Sequence, residues 1–589
     1  MSEERGVARL DTGRDGDAGG DGAEGSAGDV DVCVVGAGPV GLTLAIGLRR
    51  LGLRVRIVDK APATKREARA LVLWARAREA LDSLGVGETL RRHGVELEVV
   101  TIHARDRALG ELTTGWARSA HARPLNIEQH DIERLLSEEL ARLGTRVEWN
   151  TELTDVKVHD DRAEFTLRHE DGTVESAVAP WIVGCEGTAS VVRDRLGIPF
   201  EGRRRTGLQV VQGNAHPTWQ LGEEPGRGHI FLAPHRSLLV FPLPGGGFRF
   251  FCFRDDPDPT LTTAPTIGEL RDLVAETAGM PGLRLEATEH LWLNRARFSD
   301  RVAARLRSGR GLLAGDAAHA WAPVGGHGMN VGVLGAHNLA WKLAAVHHGQ
   351  AGEELLDTYS DEQRLLAVRY IREMRFNFME LPLPPLGYRA FTATVPAALA
   401  RRGIQRRLDL RLSDLGRNHR DGALSRHRPG RRRHRGGPRA GDRMPDVALA
   451  TGSAEEGAGP AVQAVAGVAG VAGVAAVRLH MLLAYERWTL VLHAERADAG
   501  VLDALREACD GFPAPVRVLP VTPWDGAEAR RLGHPDDLRL VRPDGYVGLV
   551  APLDRPALLR SYLVALAAEA RMPVRRSAEH DPHHPHRAH

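Results

Sequence analysis

The chain has 589 residues, 43% of them hydrophobic, and a net charge of +2. That length allows about three or four domains, and the near-neutral balance argues against nucleic acid or an anionic membrane surface as the main partner. Four scattered cysteines (Cys33, Cys185, Cys252, Cys509) without a C-x-x-C spacing argue against a disulfide framework or a zinc site and fit a reducing cytoplasm.

Residues 1–28 are acidic and glycine-rich, so they read as a disordered N-terminus and not as a signal peptide. Order begins at Asp29, where DVDVCVVGAGPVGLTLAIGLRRLGLRVRIVDK reads as strand, tight loop, helix, strand. Its loop, Gly36-Ala37-Gly38-Pro39-Val40-Gly41, fits G-x-G-x-x-G. The first glycine permits the turn, the second lets backbone approach a pyrophosphate, and the third allows close helix–strand packing. Asp59, with Lys60 beside it, closes the second strand 23 residues after Gly36, where a carboxylate can accept ribose hydroxyl hydrogens.

A helical pattern around Trp74–Leu84 follows, then a second in HDIERLLSEELARLG, whose apolar residues share one face. Residues 200–295 read as alternating strands that form an inserted β-sheet substrate domain. On this reading the cofactor domain is discontinuous, 29–199 and 296–345. A helical region covers 346–420, and 421–440 is an arginine-rich segment read as a solvated linker. A smaller α/β unit spans 441–575, and 576–589 is a disordered His-rich tail with no metal site assigned. The uncharged run Ala464–Val477 is too short to span a bilayer, so no membrane partner is expected.

A second glycine-rich junction stands about 275 residues after the first, in GLLAGDAAHAWAPVGGHGMNVGVLGAHNLAWKL. Leu312–Ala314 reads as a strand ending at Gly315-Asp316, an acid able to bond ribityl hydroxyls. PVGGHGMN offers backbone nearly free of side chains, and a helix beginning near Gly332 presents its positive end to the same place. One nucleotide loop suffices for NAD. FAD is longer, so the two junctions are read as gripping opposite ends of a single FAD.

These motifs resemble those of the class A flavoprotein aromatic hydroxylases, the p-hydroxybenzoate hydroxylase family, over roughly residues 29–420. GRGLLAGDAAHAWAPVGGHGMNVG is the most specific part of the likeness. The resemblance implies FAD contacts at Arg69, at Gln129 (in EQHDIERLL), at Asp316, and at Pro323, Gly326, Gly328, Met329 and Asn330. WIVGCEGTASVVR resembles the family's internal strand-D-G-x-x-S-x-x-R. Three positions depart from the pattern: Glu186 for aspartate, His327 for glutamine and Gly335 for aspartate, the last two expected near the flavin. AGDRMPDVAL and VRPDGYVGLV resemble the C-terminal thioredoxin-like domain of larger members. With only Cys509 there, thiol exchange is excluded and a packing or dimer-contact role is expected.

The chemistry so implied is hydroxylation of a phenolic or polyketide-type aromatic substrate. Transient NADPH or NADH reduces FAD, O2 forms a flavin C4a-hydroperoxide, and its distal oxygen passes to the ring. No protein nucleophile is required. His216, His229 and His235 are open candidates for a base, and LLVFPLPGGGFRFFCF is the expected pocket wall. Baeyer–Villiger or epoxidising chemistry on the same cofactor, and a redox-silent FAD-binding protein, remain as alternatives. A flavin halogenase is disfavoured by the lack of a G-W-x-W-x-I-P stretch.

Overall fold

A computed structural model describes residues 30–64, 70–255, 257, 261, 263–289, 291–374, 382–427, 437–450 and 477–567. The N-terminal segment 1–28, Arg69, nearly all of the run at 464–477, the middle of the 421–440 segment and the tail 576–589 lie outside the described residues. The principal helices are α1 (Pro39–Arg50), α2 (Ala75–Ser83), α3 (Gln129–Arg142), α4 (Ile267–Ala278), α5 (Gly328–His347), α6 (Glu354–Met374), α7 (Pro385–Leu399) and α8 (Arg402–Leu412).

The cofactor domain is built on a six-stranded sheet. Its strand order is Arg307–Ser308, Gly311–Leu313, Trp181–Gly184, Val32–Val35, Val55–Val58, Val147–Glu148. Val32–Val35 lies between two parallel neighbours and is buried along its whole length, as a strand covered on both faces must be. Gly311–Leu313 runs parallel to Trp181–Gly184. Both glycine-rich junctions therefore leave the same carboxyl edge of one sheet, two strands apart, a separation of about 10 Å.

Glycines also set how the two loop-bearing helices meet. A Cβ on Gly47 would stand 2.9 Å from the Ala340 methyl, and one on Gly332 would stand 2.6 Å from a methyl of Val40. Gly315 receives the same valine, with Val40 3.0 Å from where its Cβ would be. Val40 of the first loop thus seats in a notch cut by glycines of the second.

The substrate sheet runs His319–Ala320, Leu293–Ala303, Phe200–Thr218, Phe248–Arg254, Arg236–Pro242, Arg227–Ala233, Val99–Ala104, Arg107–Thr113, with Arg284–Ala287 beside Phe200–Thr218. It is wider than the 200–295 segment read from the sequence. Val99–Ala104 joins by pairing in parallel with Arg227–Ala233, a long-range contact that no local alternation reveals. The segment also holds α4, which covers Val211, Phe231, Leu238 and Phe250 on one face. Val100, Ile230, Leu239 and Phe253 form the opposite apolar face.

The C-terminal α/β domain carries the sheet Arg426–His427, Val547–Pro552, Asp537–Val541, Trp488–His493, Val516–Val521. The segment read as a linker therefore contributes an edge strand, Arg426–His427, parallel to Val547–Pro552. This domain is docked on α2, α5 and α6 through buried charge. Arg542 donates to Glu362 at 2.8 Å, Lys342 donates to the same carboxylate at 2.8 Å, and Asn338 donates to Asp544 at 2.7 Å. Arg443 donates to Glu79 at 2.6 Å. Burial opposes ionisation of Asp544, but Arg542 overcomes it and holds the carboxyl at about 2. Burial pushes His337 down to about 3 and His419 to about 4, so both are neutral.

Two outcomes are expected. Arg542→Met leaves Glu362 and Asp544 short of a buried partner and should cost about 3–5 kcal/mol in denaturant unfolding. The wild-type chain should lose stability on acidification in two stages. Neutral His337 and His419 resist protonation, so loss begins as pH falls below 6.5, their ordinary value. Asp544 adds a second loss as pH falls from 3.8 toward 2. Denaturation curves at stepped pH check both, and a flat stability profile between pH 7 and pH 4 contradicts the first stage.

Candidate active site

The first loop is fixed by contacts that only glycine permits. Gly36 has φ +102, and a Cβ there would lie 2.7 Å from the Cys185 carbonyl. A Cβ on Gly41 would lie 1.9 Å from the Gly36 oxygen. Gly38 differs: its Cβ would meet nothing within 4 Å. Asp59 ties the loop down, accepting from Ala37 N and Ala61 N at 2.8 Å each. Helix α1 starts with Pro39 and has neither a side-chain cap nor an acid in its first turn. Its leading N–H groups are therefore left for an anion.

The second junction ends strand Gly311–Leu313 in a tight turn, Gly315–Ala317, with Asp316 exposed. A second turn, Val324–Gly326, carries Gly325 at φ +80 and Gly326 at φ +66. Helix α5 begins at Gly328, four residues before the expected start, because the glycines and Met329 give its first turn no apolar stripe to read. It too lacks a side-chain cap and a first-turn acid.

The loop carbonyls are held from behind. Trp74 Nε1 donates to Gly325 O, and Asn330 Nδ2 donates to Gly326 O and to Val72 O, each at 2.8 Å. Asn330 Oδ1 accepts from Trp74 N at 2.8 Å. Asn330 is thus fully buried and shapes the loop, so any contact it makes with a cofactor is through its backbone.

One cavity of about 510 Å³ joins the two junctions. Its polar end is lined by Gly36, Ala37, Gly38, Pro39, Val40, Asp59, Lys60, Gln129 and Asp316, and beyond them by Pro323, Gly326, Gly328 and Met329. Gly41 and Asn330 pack behind that lining. Gln129 Nε2 donates to Glu133 at 2.8 Å, and its Oε1 accepts from Ala70 N at 3.2 Å. The other end is hydrocarbon: Leu97, Val100, Leu112, Ile230, Leu239, Phe241, Phe251, Phe253, Trp321 and Leu412. The predicted wall supplies Leu239, Phe241, Phe251 and Phe253, alternate residues of two paired strands.

The candidate bases do not reach the cavity. His229 projects from the opposite face of the sheet, buried 3.2 Å from His103, and burial pushes both down to about 4. His235 is exposed at φ +62 beside Asp255, and His216 is also absent from the lining. The histidine that does line it is His319, buried and stacked on Trp321 at 5.1 Å. Burial lowers its pKa to about 4, so it is neutral at pH 7. The sequence signal for it is the spacing of His319 and Trp321 as alternate residues just after Gly315-Asp316.

The three departures resolve differently. Glu186 lines the cavity and accepts from Val192 N at 2.8 Å, capping a short helix, and burial raises its pKa. The resemblance places His327 and Gly335 near the flavin. His327 instead turns inward to Asp414 at 2.9 Å, and a Cβ on Gly335 would face Gln363 of α6 at 3.4 Å.

These features fit FAD. The open cradle at Gly38 and two uncapped helix starts share one elongated cavity.

Residues 29–374 match the family described as FAD binding domain. The chain is 31% identical to 6-methylpretetramide 4-monooxygenase of Streptomyces rimosus over 568 residues, 91% of this chain and 93% of that protein. The structure of aklavinone-11 hydroxylase with FAD and aklavinone superposes with a TM-score of 0.71 at 26% identity, covering 91% of this chain and 99% of that one. A Diels-Alderase of the pyrroindomycin pathway gives a TM-score of 0.67 at 26% identity, covering 91% of this chain and 99% of the other.

Two glycine substitutions should separate binding from folding. Gly38→Ala keeps an ordinary backbone (φ −73) and its Cβ meets no protein atom within 4 Å, so apo stability should hold while FAD affinity falls by about tenfold or more. Gly41→Ala drives a methyl into backbone and should cost about 1–3 kcal/mol without ligand. Thermal unfolding of the apoprotein and flavin fluorescence titration measure the two.

Proposed function

The chain belongs to the FAD binding domain family, as an FAD-dependent monooxygenase of the class A flavoprotein hydroxylases, and from that premise we propose that it hydroxylates a neutral, fused-ring phenolic or polyketide-type substrate with O2 and NAD(P)H. The observation that supports this reading is the division of the cavity: backbone and charge at one end, an apolar wall at the other. Among the substrate-sheet residues that line it, His319 is the one ionisable side chain, and it is neutral. A benzoate-type carboxylate would find no counter-charge among the described residues of that wall, whereas a large neutral aromatic would bury its faces against Phe241, Phe251, Phe253 and Trp321.

When bound, FAD supplies hydride acceptance and the activation of dioxygen. The protein's own part is placement. The N-terminal ends of α1 and α5 would favour negative charge on the pyrophosphate and on the reduced flavin of a bound FAD. The apolar wall holds the ring and keeps water away from the reacting centre. Among the described residues no side chain of the wall is charged to take a proton from the substrate, so its hydroxyl would ionise by its own acidity or through water. The nicotinamide visits transiently, and the C-terminal domain serves packing, with homodimer contact a further role. We place the protein in the cytoplasm, where its unpaired cysteines stay reduced. No helix among the described residues is long and apolar enough to cross a membrane.

The likeness to a Diels-Alderase favours one second reading, in which FAD is held but the protein is redox-silent. Incubating the yellow holoprotein with NADPH or NADH, ¹⁸O₂ and a panel of neutral polycyclic phenols and hydroxybenzoates distinguishes the two. The expected result is nicotinamide oxidation stimulated by a polycyclic phenol, with one labelled oxygen in the product. FAD binding without substrate-dependent oxygen uptake across the panel would support the second reading. A preference for hydroxybenzoates would overturn the substrate class.

A further inference from the structure

His327 sits in the flavin loop, yet its side chain is buried under the loop and outside the cavity lining. Its imidazole supports the left-handed turn above it: a Cβ on Gly325 would stand 2.6 Å from His327 Cδ2. The ring also stacks on Trp74 at 5.6 Å, and Trp74 in turn holds Gly325 O. His327 Nδ1 meets Asp414 Oδ2 at 2.9 Å across 87 residues of sequence.

Asp414 is built to hold that contact. It is completely buried and lies just after α8 at φ +60, a backbone conformation that a non-glycine residue rarely adopts. Tyr370 of α6 donates to its Oδ1 at 2.5 Å, and Arg417 Nε lies 3.4 Å from the same oxygen. Burial opposes its charge, but His327 and Arg417 hold the carboxyl below its ordinary range. An ionised Asp414 can only accept, so His327 Nδ1 carries the hydrogen. Tyr370 in turn stacks on cavity-lining Trp321 at 5.6 Å and 7° between planes. Asp414 is therefore joined on one side to the flavin loop and on the other to the aromatic wall.

We propose that Asp414 is a positioning residue for the hydroxylation, holding His327 beneath the Val324–Gly328 loop so that the loop backbone keeps its place against the flavin. The proposal rests on the FAD monooxygenase reading. It assigns His327 the role of a strut and gives Arg417, in the segment leading to the C-terminal domain, a hold on the site. The loop offers backbone to the cofactor, and backbone has no rotamer with which to recover from a displacement. A buried hydrogen bond behind the loop can thus set the geometry on which transfer depends.

The test uses the full-length holoprotein and needs no substrate. Asp414→Asn, His327→Leu and His327→Gln are compared with wild type by FAD titration, by the visible spectrum of the bound flavin and by thermal unfolding. Asp414→Asn and His327→Leu should each weaken FAD by about tenfold, the loss of a charge-assisted hydrogen bond, and shift the flavin bands. His327→Gln retains an N–H donor toward Asp414 and should restore the wild-type spectrum and an affinity within about twofold. Unchanged FAD affinity and spectrum in His327→Leu, with only a lower unfolding temperature, would overturn the proposal. So would a glutamine variant indistinguishable from the leucine variant. Should Asp414→Asn fail to fold, the two His327 variants decide the matter, since both keep the aspartate. A wild-type protein that takes up no FAD would instead refute the cofactor assignment.

Discussion

The site depends on one constraint: two loops distant in sequence must stay a fixed distance apart along a single elongated ligand. Parallel pairing of Val32–Val35, Trp181–Gly184 and Gly311–Leu313 supplies the spacing. The seating of Val40 against Gly315 and Gly332 supplies the angle. One is backbone hydrogen bonding between neutral groups and the other is close van der Waals packing, so the arrangement is insensitive to salt and pH in a way that charged anchors would not be. Helices α1 and α5 then deliver their N-terminal ends to the same cavity as a consequence of the packing, with no further device needed.

The rest of the molecule extends outward from that pair of loops. Immediately after Asp316 the chain enters the short strand His319–Ala320, which pairs with Leu293–Ala303 and so belongs to the substrate sheet. The cofactor loop and the substrate wall are thereby covalent neighbours, separated by a few residues, and Trp321 stands between them. On the far side, α5 leads from the loop into the buried ion cluster that docks the C-terminal domain. Lys342 and Asn338 lie on that helix. A domain without a thiol pair retains a physical role there: Arg542 and Asp544 complete a charge cluster that α5 and α6 leave unbalanced.

Local signals were legible in the sequence and long-range ones were not. The glycine spacing at Gly36–Gly41 and the acid at Asp59 are short-range requirements of a tight turn and of the strand next to it, and a string of letters shows both. The apolar alternation of Leu239, Phe241, Phe251 and Phe253 is equally local. A residue's role is not legible where it is set by what arrives from elsewhere in the chain. Val99–Ala104 joins the substrate sheet through a partner more than a hundred residues away. Asn330 matches a motif that suggests ligand contact, but its amide is occupied by Val72 and Gly326. The three candidate histidines were chosen by residue type. A strand sends successive side chains to opposite faces, and His229 falls on the face covered with Trp219 and Phe231.

The departures at His327 and Gly335 show why a family pattern tolerates such changes. The loop between Pro323 and Gly328 presents mainly backbone to the cavity, so the atoms facing a flavin are the same whatever side chain hangs behind them. On the front of the loop the requirement falls on φ and ψ, and the positive φ of Gly325 and Gly326 is one that glycine adopts freely. On the back, the side chain at position 327 must fit Trp74, Tyr370 of α6 and Asp414. A histidine there succeeds if its partner is also present, and Tyr370 and Arg417 hold that partner in its strained conformation. The variable position and its carboxylate thus form one unit, separable in sequence but not in structure. At His327 and Gly335 the departures lie behind the loop, on the side turned away from the cavity.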